Sequence, residues 1–313
     1  MDINTTPSQD IIDAVMRMQH YIAEHIKEPI TQHQLAQAAG YSQYYAARIF
    51  KELTGKTPFE YIRRLRLSQS ALVLRDGNLR VIDVALDYVF DSHEGFTRAF
   101  SKEFGMTPKE YANNPQPVKL FMPSNIRDFY LLERGSEESK MSVTPSAIFV
   151  QVVDRPARKL ILKRGKTASH YFEFCEEVGC NIWGVLCSIK EALYEPIGMW
   201  MPDNLRPTGT SVYTQGVEVP LDYSGEIPDG FEVIELPPCK MLIFQGPPYD
   251  DEKFMEAIDE LWKQTANYNP EIYGYEWADD IAPKIQLAPM GYRGYIEGRP
   301  IIPINKPINK SNK

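Results

Sequence analysis

Cysteine, histidine and long hydrophobic runs are scarce in this 313-residue sequence. The four cysteines form no CxxC pair and no zinc-type spacing with histidine, which argues against a disulfide framework or a metal site. Free thiols are typical of a reducing compartment. No apolar run approaches the roughly 18 residues of a membrane-spanning helix, and the acidic, polar N-terminus does not resemble a signal peptide. We therefore expect a cytoplasmic protein that contacts no membrane and holds no metal.

The motifs of common enzyme classes are also missing. The sequence has no GxSxG, HExxH or P-loop segment, and no GxGxxG that opens a helix. Four of the five histidines lie within the first hundred residues, which leaves only His170 beyond them. The second part of the chain thus lacks the usual proton shuttle of acid–base catalysis. We expect no catalytic residue and no cofactor.

Excess positive charge is absent, since the formal net charge is −8. Such a balance argues against bulk attraction to nucleic acid. The charge is uneven, however: residues 1–117 are close to neutral, and the segment 43–66 holds six basic residues against two acidic ones. A local basic stripe fits a DNA-binding face and fits a solvated helix face almost as well.

A repeat at an interval of fifty residues is the clearest feature that is present. "RIFKELTGKTPFEY" occupies 48–61 and "RAFSKEFGMTPKEY" occupies 98–111, with seven of fourteen positions identical. Ahead of the first copy, Thr31 with Gln34 predicts a capping box, Gly40 a helix end and Ser42 a new helix start. The pattern of helix, glycine-containing turn and helix is typical of a helix-turn-helix motif.

The second copy follows the same order, with a short helix from Val81 to Tyr88 and a helix start at Ser92. A long helix over 58–75 joins the two copies and spans about 27 Å at the usual rise of 1.5 Å per residue. With the widths of the two motifs added, a separation of about 34 Å is within reach, which is one turn of DNA. We expect both second helices to enter the major groove on one face of a duplex. A helical duplication without any ligand is the competing interpretation.

The segments "LAQAAGYSQYYAARIFKELTGKTPFEYIRRLRLSQSALVL" and "VIDVALDYVFDSHEGFTRAFSKEFGMTPKEY" resemble the DNA-binding domain of the AraC/XylS transcription regulators, in particular their MarA–SoxS–Rob branch. The resemblance covers about 100 residues and implies seven helices with two recognition helices. It implies two sets of base-reaching residues: Gln43, Tyr44, Ala47 and Arg48 in the first motif, and His93, Glu94, Thr97 and Arg98 in the second. We also expect DNA contacts from Lys51 of the basic stripe, and phosphate contacts from Ser42 and Ser92, because these serines lie at helix N-termini. For Glu94, a capping carboxylate and a reader of cytosine are equally open interpretations.

A second repeat, at an offset of 81 residues, follows a polar linker. "VVDRPARKLILKRG" over 152–165 matches "VIELPPCKMLIFQG" over 233–246, and each copy predicts two strands around a proline turn. An amphipathic helix follows each copy, over about 170–188 and 251–265, and two further strands close it. We expect an all-α tandem helix-turn-helix domain over 1–112, a linker over 113–145 and a duplicated α+β domain over 146–313.

Aromatic residues concentrate in the late part of the second domain. Trp200 and Trp277 occupy corresponding stretches of the two halves, and several tyrosines accompany them. Aromatic faces beside a carboxylate suit amphipathic, often cationic, organic molecules. Packing in the core of the sheet is the competing interpretation for any single tyrosine.

This domain resembles the GyrI-like (SHS2-derived) family of small-molecule-binding domains, through "RPARKLILKRG", "PPCKMLIFQGP" and "YEWADD…GYIEGRPIIP". The resemblance implies Glu276 as the acidic anchor of a ligand, with Glu297 as the second choice. It places Trp277 and Tyr275 on either side of this anchor. The concentration of aromatic residues adds four further candidates for the lining: Trp200, Tyr213, Tyr292 and Tyr295.

Together these features predict a bacterial transcription regulator, of activator type by family analogy, that senses an amphipathic or drug-like effector. Promoter DNA, RNA polymerase and the effector are the expected partners, and a monomer on DNA is the favoured state. Two alternatives stay open: a regulator whose second domain also hydrolyses a reactive small molecule, and a DNA-binding protein that needs no ligand.

Overall fold

The computed structural model describes residues 7–77, 79–123 and 147–304. The chain divides into two compact units, Met1–Met141 and Ser142–Lys313, which we call the helical unit and the β-rich unit. No helix among the described residues is both long and apolar enough to cross a membrane. The predicted domain limits stay predictions, and residues 124–145 of the predicted linker lie outside the described residues.

The helical unit contains seven helices within its described residues. They are α1 (Gln9–Glu24), α2 (Gln32–Ala39), α3 (Gln43–Thr54), α4 (Pro58–Asp76), α5 (Val81–Asp87), α6 (His93–Phe104) and α7 (Pro108–Asn113). Their starts and stops follow from local chemistry. The predicted capping box at Thr31 and Gln34 is confirmed, and α2 and α3 end at Gly40 and Gly55, whose φ angles of 74° and 70° suit glycine.

Helix α4 is fixed to the second helix of each helix-turn-helix motif. The ring of Tyr61 meets the ring of Phe50 of α3 edge-on, with 5.2 Å between the centroids. Three residues further along α4, Arg64 Nε donates to Glu103 Oε1 of α6 at 2.8 Å. Since α4 has 19 residues, it is about 28 Å long at the standard rise. These two contacts, made three residues apart on α4, tie α3 and α6 to the same helix.

The first described residues after α7 pack onto the helical unit. The Phe121 ring lies edge-on to Tyr61, at 4.9 Å, and the Phe121 backbone N–H donates to Ser68 Oγ at 2.7 Å. Val118 and Leu120 are buried. Part of the segment predicted as a linker therefore contributes to this core.

Val89, in the turn that precedes α6, is the only non-glycine residue with positive φ among those described, at 58°. A β-branched side chain is disfavoured there because its Cβ crowds the backbone. The turn is held by a hydrogen bond from the Val89 N–H to the Leu86 carbonyl at 3.0 Å. The second motif thus carries local backbone strain that the first motif, with Gly40, avoids.

The β-rich unit holds nine strands and three α-helices among its described residues. The strands are β1 (Phe149–Arg155), β2 (Arg158–Arg164), β3 (Ile197–Trp200), β4 (Tyr213–Pro220), β5 (Glu232–Leu236), β6 (Cys239–Gln245), β7 (Tyr275–Trp277), β8 (Lys284–Gln286) and β9 (Ile296–Pro303). The helices are α8 (Tyr171–Val178), α9 (Ile182–Ser188) and α10 (Phe254–Ala266). The helix predicted over 170–188 is interrupted at Gly179, whose φ is 96°.

All nine strands form one antiparallel sheet, in the order β1-β6-β9-β8-β3-β4-β2-β5, with β7 also paired to β9. The strands on either side of each proline turn do not pair with each other. Instead β1 pairs with β6, for example Val152 with Leu242, and β5 pairs with β2, for example Val233 with Ile161. The two sequence halves thus exchange their first strands. The order has the arrangement expected for two related halves; the GyrI-like duplication itself stays a prediction.

The two faces of the sheet bury different cores because successive strand residues point to opposite sides. On one face Leu160 and Leu162 pack with Met199, Met241 and Ile285. The other face is covered by helices: Leu186 of α9 packs over the sheet, and Leu261 of α10 packs in a separate cluster with Phe244 and Tyr295. Helix α10 lies beside the cavity described below.

A buried ionic group joins β1, β2 and β4 beside the proline turns. Glu218 on β4 accepts from Arg158 Nε at 2.6 Å and from Arg155 Nη1 at 2.7 Å. The side chains of Glu218 and Arg158 are 2% and 1% exposed. Arg158 also donates to the carbonyls of Pro156 and Pro237 at the two proline turns. The group links the exchanged strands at the point where the halves meet.

Candidate nucleic-acid interface and ligand cavity

The two second helices of the repeat present matching surfaces. From 41 to 50 and from 91 to 100, the sequence of buried, half-buried and exposed residues is the same at all ten positions. Both helices begin at a serine N-cap, where the Ser42 hydroxyl accepts from Tyr45 N and the Ser92 hydroxyl accepts from Gly95 N. Both end at a left-handed glycine, Gly55 and Gly105. The fold has therefore built the same outward-facing helix twice.

Most of the predicted DNA-contacting side chains are exposed. They are Ser42, Gln43, Tyr44, Arg48, Lys51, Ser92, His93, Glu94 and Arg98, while Ala47 and Thr97 are half-buried. Tyr44 stands out among them at 80% exposure. An aromatic ring so open to water, one residue into a helix, is available for contact with a thymine methyl group or a sugar.

The two arginines of the repeat differ in their surroundings. The Arg48 guanidinium lies 4.8 Å from the centre of the Tyr45 ring, and its Nε lies 3.6 Å from Glu52 Oε1. Arg98, fifty residues later, is exposed and has no hydrogen-bond or ion-pair partner among the described residues. Arg48 is thus partly preorganised by its own helix, whereas Arg98 is free to move.

Thr97 and Glu94 are placed less simply. The Thr97 hydroxyl is buried and has no hydrogen-bond partner among the described residues, so it reaches a base only if the surrounding groups move. Glu94 is exposed in the first turn of α6. Its capping role has no hydrogen bond to support it within the described chain, and both interpretations of this residue stay open.

Part of the basic stripe over 43–66 serves the fold. Arg66 donates to the carbonyls of Ile26 and Glu28, and Arg64 pairs with Glu103. Lys51 and Arg63 are exposed and have no such partner among the described residues. The charge available to phosphate near α3 is therefore smaller than the composition of the segment indicates.

A cavity of about 850 Å³ opens in the β-rich unit, within the usual range for small-molecule sites. Three of the four tryptophans of the chain line it: Trp200, Trp262 and Trp277. Phe244 adds a fourth aromatic side chain. The cavity thus combines four aromatic side chains with six charged ones, four of them acidic.

Glu297 is the buried carboxylate of this cavity, with a side chain only 2% exposed. Its Oε1 accepts from Trp262 Nε1 at 2.5 Å and from the Tyr295 hydroxyl at 2.9 Å. Burial, reinforced by the Glu297 charge, raises the pKa of Tyr295 well above its ordinary value, so the phenol stays a hydrogen-bond donor. The two donors fix the carboxylate in one orientation.

Two side chains of the protein place cations on the aromatic walls. Lys284 Nζ lies 3.1 Å from Glu297 Oε2 and 4.9 Å from the centre of the Trp200 ring. The Arg299 guanidinium lies 4.1 Å from the centre of the Trp277 ring and donates twice to Asp279. Lys284 and Trp200 are paired across β8 and β3, which explains their contact.

Of the predicted ligand-binding residues, Trp200, Trp277 and Glu297 line the cavity. Glu276 does not: it is exposed on β7 between half-buried Tyr275 and Trp277. Since neighbouring strand residues face opposite sides, a carboxylate adjacent to Trp277 in sequence points away from it. Of the two glutamates that the sequence proposed, the one that lines the cavity is Glu297, the second choice.

The remaining predicted aromatic residues lie outside the cavity lining. Tyr213 and Tyr295 are 0% and 1% exposed within the core, and the Tyr213 hydroxyl accepts from Gln286 at 2.8 Å. Tyr275 packs in the same cluster as Leu261, and Tyr292 is 78% exposed at the surface. Among these, Tyr295 influences the cavity through its hydrogen bond to Glu297.

Sequence reasoning missed Trp262, Lys284 and Arg299 in this site. Trp262 lies on α10. The only sequence feature that could have pointed to it is that tryptophan is rare in this chain. Arg299 was within reach, because it follows Glu297 by two positions and so shares its strand face. Lys284 is brought in by pairing of β8 between β3 and β9, which no local pattern encodes.

Comparison with known proteins supports the interpretation of the helical unit. A family model described as a helix-turn-helix domain matches residues 35–114. The Right origin-binding protein of Escherichia coli K12 is 42% identical over 96 residues, which are 31% of this chain and 33% of that protein. The regulatory protein SoxS of Salmonella typhimurium is 37% identical over 103 residues, 33% of this chain and 94% of SoxS.

Each of these two matches covers about a third of this chain. This chain in turn spans about a third of the length of the Right origin-binding protein. Among solved structures, the DNA-binding domain of AdpA, crystallised with a target DNA, is 26% identical and covers 32% of this chain and 91% of its own, with a TM-score of 0.31.

Proposed function

The chain belongs to the AraC family of helix-turn-helix transcription regulators, and from this premise we propose that it binds promoter DNA through α3 and α6 under the control of a small organic effector held in the β-rich unit. The family assignment rests on SoxS of Salmonella typhimurium, because this chain covers 94% of that protein at 37% identity. The effector and the direction of regulation go beyond that assignment. By family analogy the outcome is activation through contact with RNA polymerase.

The repeated surface of α3 and α6 supports DNA recognition. Each helix offers exposed polar side chains in its first two turns and one exposed arginine midway. Arginine reads guanine through two hydrogen bonds in the major groove. Because α4 is fixed to both helices, the second helix is presented at a set distance once the first is bound. One chain then suffices to contact two successive groove segments.

One observation carries the proposal of ligand control: a buried, oriented carboxylate, Glu297, faces a cavity walled by three tryptophans. Two donors hold this carboxylate in one orientation at the edge of an 850 Å³ space, which preorganises it for a charged group of a ligand. Aromatic walls and a carboxylate together suit an amphipathic molecule with cationic character. The proposed site does not include four of the predicted residues, because they do not line the cavity: Glu276, Tyr275, Tyr292 and Tyr213.

An effector regulates only if it binds two arrangements of the protein with different affinity. We therefore expect ligand and promoter DNA to alter each other's affinity by the same factor.

The test uses the full chain. Intrinsic tryptophan fluorescence is titrated with tetraphenylphosphonium, a hydrophobic cation, because all four tryptophans lie in the β-rich unit and three line the cavity. We expect saturable binding that weakens at least tenfold in Glu297→Gln and stays within twofold in Glu276→Gln. Fluorescence anisotropy of labelled promoter DNA with and without the cation then measures the coupling. Equal weakening in both variants, or none in Glu297→Gln, contradicts the proposed site.

A further inference from the structure

The cation site beside Glu297 is already occupied by the protein itself. Oε1 of the carboxylate accepts from Trp262 and Tyr295, and Oε2 faces the Lys284 ammonium at 3.1 Å. The same ammonium lies over the Trp200 ring at 4.9 Å. Lys284 thus makes both contacts that an incoming cationic group would make, an ion pair and a cation–π contact.

Lys284 is held loosely enough to leave. Its side chain is 38% exposed, it makes one ion pair, and its flexible stem lets the ammonium return to water. Arg299 provides the contrast within the same cavity, because its two hydrogen bonds to Asp279 clamp the guanidinium over Trp277. Only one of the two internal cations is therefore suited to displacement.

We propose that Lys284 is a tethered competitor that an effector cation must displace from Glu297 and Trp200, and that this residue sets the affinity threshold of the cavity. The inference rests on the proposed function, since it assigns a specificity role within that ligand site. It also identifies the chemical class of effector. A small inorganic or ammonium-sized cation gains nothing over Lys284, whereas a cation with a large apolar body adds contacts with Trp262, Trp277 and Phe244.

The size of the effect follows from occupancy. The apparent affinity of the cation equals its intrinsic affinity multiplied by the fraction of time for which the site is open. A lysine that fills the site for about 90% of the time therefore weakens the binding of a competing cation about tenfold. Removing the ammonium restores this factor for a cation. It changes little for a neutral molecule of the same shape, which does not need the carboxylate.

Isothermal titration calorimetry of the full chain tests this with tetraphenylphosphonium and with neutral triphenylphosphine oxide. We expect Lys284→Met to bind the phosphonium about tenfold more tightly than the unmodified chain, and to bind the oxide within twofold. Lys284→Arg, which keeps a competing cation, is expected to stay as weak as the unmodified chain. Lys240→Met is the matched control: it removes a lysine that pairs with Asp154 and does not line the cavity.

A double substitution separates competition from a general gain in negative charge. With Glu297→Gln present, Lys284→Met is expected to change phosphonium affinity less than twofold, because the shared partner is gone. Thermal unfolding followed by tryptophan fluorescence checks that each variant is folded.

Failure of this inference is distinguishable from failure of the proposed function. If the phosphonium binds the unmodified chain and Glu297→Gln weakens it, but Lys284→Met leaves the affinity unchanged or lower, the competitor role is refuted and the ligand site stands. Equal gains in Lys284→Met and Lys240→Met also refute it. If no variant binds either probe, the ligand site itself is refuted.

Discussion

Replacing the two arginines of the repeat, singly and together, tests whether α3 and α6 read DNA as a pair. A guanine contact by arginine contributes about 1–3 kcal/mol of discrimination, which corresponds to about 5- to 150-fold in affinity. Arg98 has no competing partner among the described residues, so Arg98→Ala is expected to fall in the upper part of this range. Arg48 must share its guanidinium with Tyr45 and Glu52, so Arg48→Ala is expected in the lower part.

The double variant carries the stronger prediction. Arg48 and Arg98 lie on separate motifs and share no partner, so their effects on the binding free energy should add. The expected total is about 2–6 kcal/mol, provided that one chain uses both helices on the same duplex. If two chains each used a single helix, the second substitution would have little further effect.

Fluorescence anisotropy with a selected promoter duplex and a scrambled duplex measures both specific and non-specific affinity. Loss of a base-reading arginine should lower the ratio of specific to non-specific affinity, whereas loss of a phosphate contact should lower both affinities alike. Arg80→Ala is the control, because Arg80 is exposed but held by two hydrogen bonds to Asp83. We expect this substitution to change the affinity for either duplex less than twofold. An unchanged ratio in both single variants would refute the placement of these helices in the groove.

Three further predictions concern stability and thiol chemistry. Glu218→Ala leaves two buried guanidinium groups unpaired, and we expect a loss of about 3–5 kcal/mol in the free energy of unfolding of the β-rich unit, measured by urea titration of tryptophan fluorescence; a loss under about 1 kcal/mol would contradict the ionic brace. Val89→Gly relieves a strained backbone and should stabilise the helical unit by about 1 kcal/mol, seen as a higher melting temperature by far-ultraviolet circular dichroism, and an unchanged or lower value would argue against strain. A hydrogen bond from Cys175 lowers the pKa of Cys180 to about 7. Because the thiolate is the reactive form, alkylation of Cys180 by iodoacetamide should rise with pH around a midpoint near 7, and mass spectrometry should find a higher midpoint in Cys175→Ala; equal midpoints would remove the assigned cause.

The parts of the fold that sequence reasoning predicted well are those set by near neighbours. A helix cap involves residues within four positions of each other, so the starts at Thr31 and Ser42 and the end at Gly40 could be predicted. The repeat interval of fifty residues then predicted a second motif with the same surface. Local chemistry thus located the helices of both motifs and the helix that joins them, while the total of seven helices was implied by the family resemblance.

Features that depend on distant partners were not readable. Nothing local states that β1 pairs with β6 rather than with its neighbour β2, because both pairings satisfy the same alternation of side chains. The same limit applies to charge: Arg64 and Arg66 look like DNA-binding residues until Glu103 and the backbone of the loop after α1 are found against them.

The ligand cavity illustrates a third limit. Glu276 was favoured because it adjoins Trp277 in sequence, yet adjacent strand residues face opposite sides. Glu297 and Arg299, two apart on β9, share the cavity face. Strand alternation would have favoured Glu297 had the exact limits of β7 and β9 been known.

Hydroxyl-radical footprinting of the full chain on promoter DNA tests most directly the central claim that one chain places two helices in successive grooves of one duplex face. The account predicts two protected segments about 10 base pairs apart on the same face, with protection of one segment lost in Arg48→Ala and of the other in Arg98→Ala. A single protected segment, or two segments on opposite faces of the duplex, would contradict it.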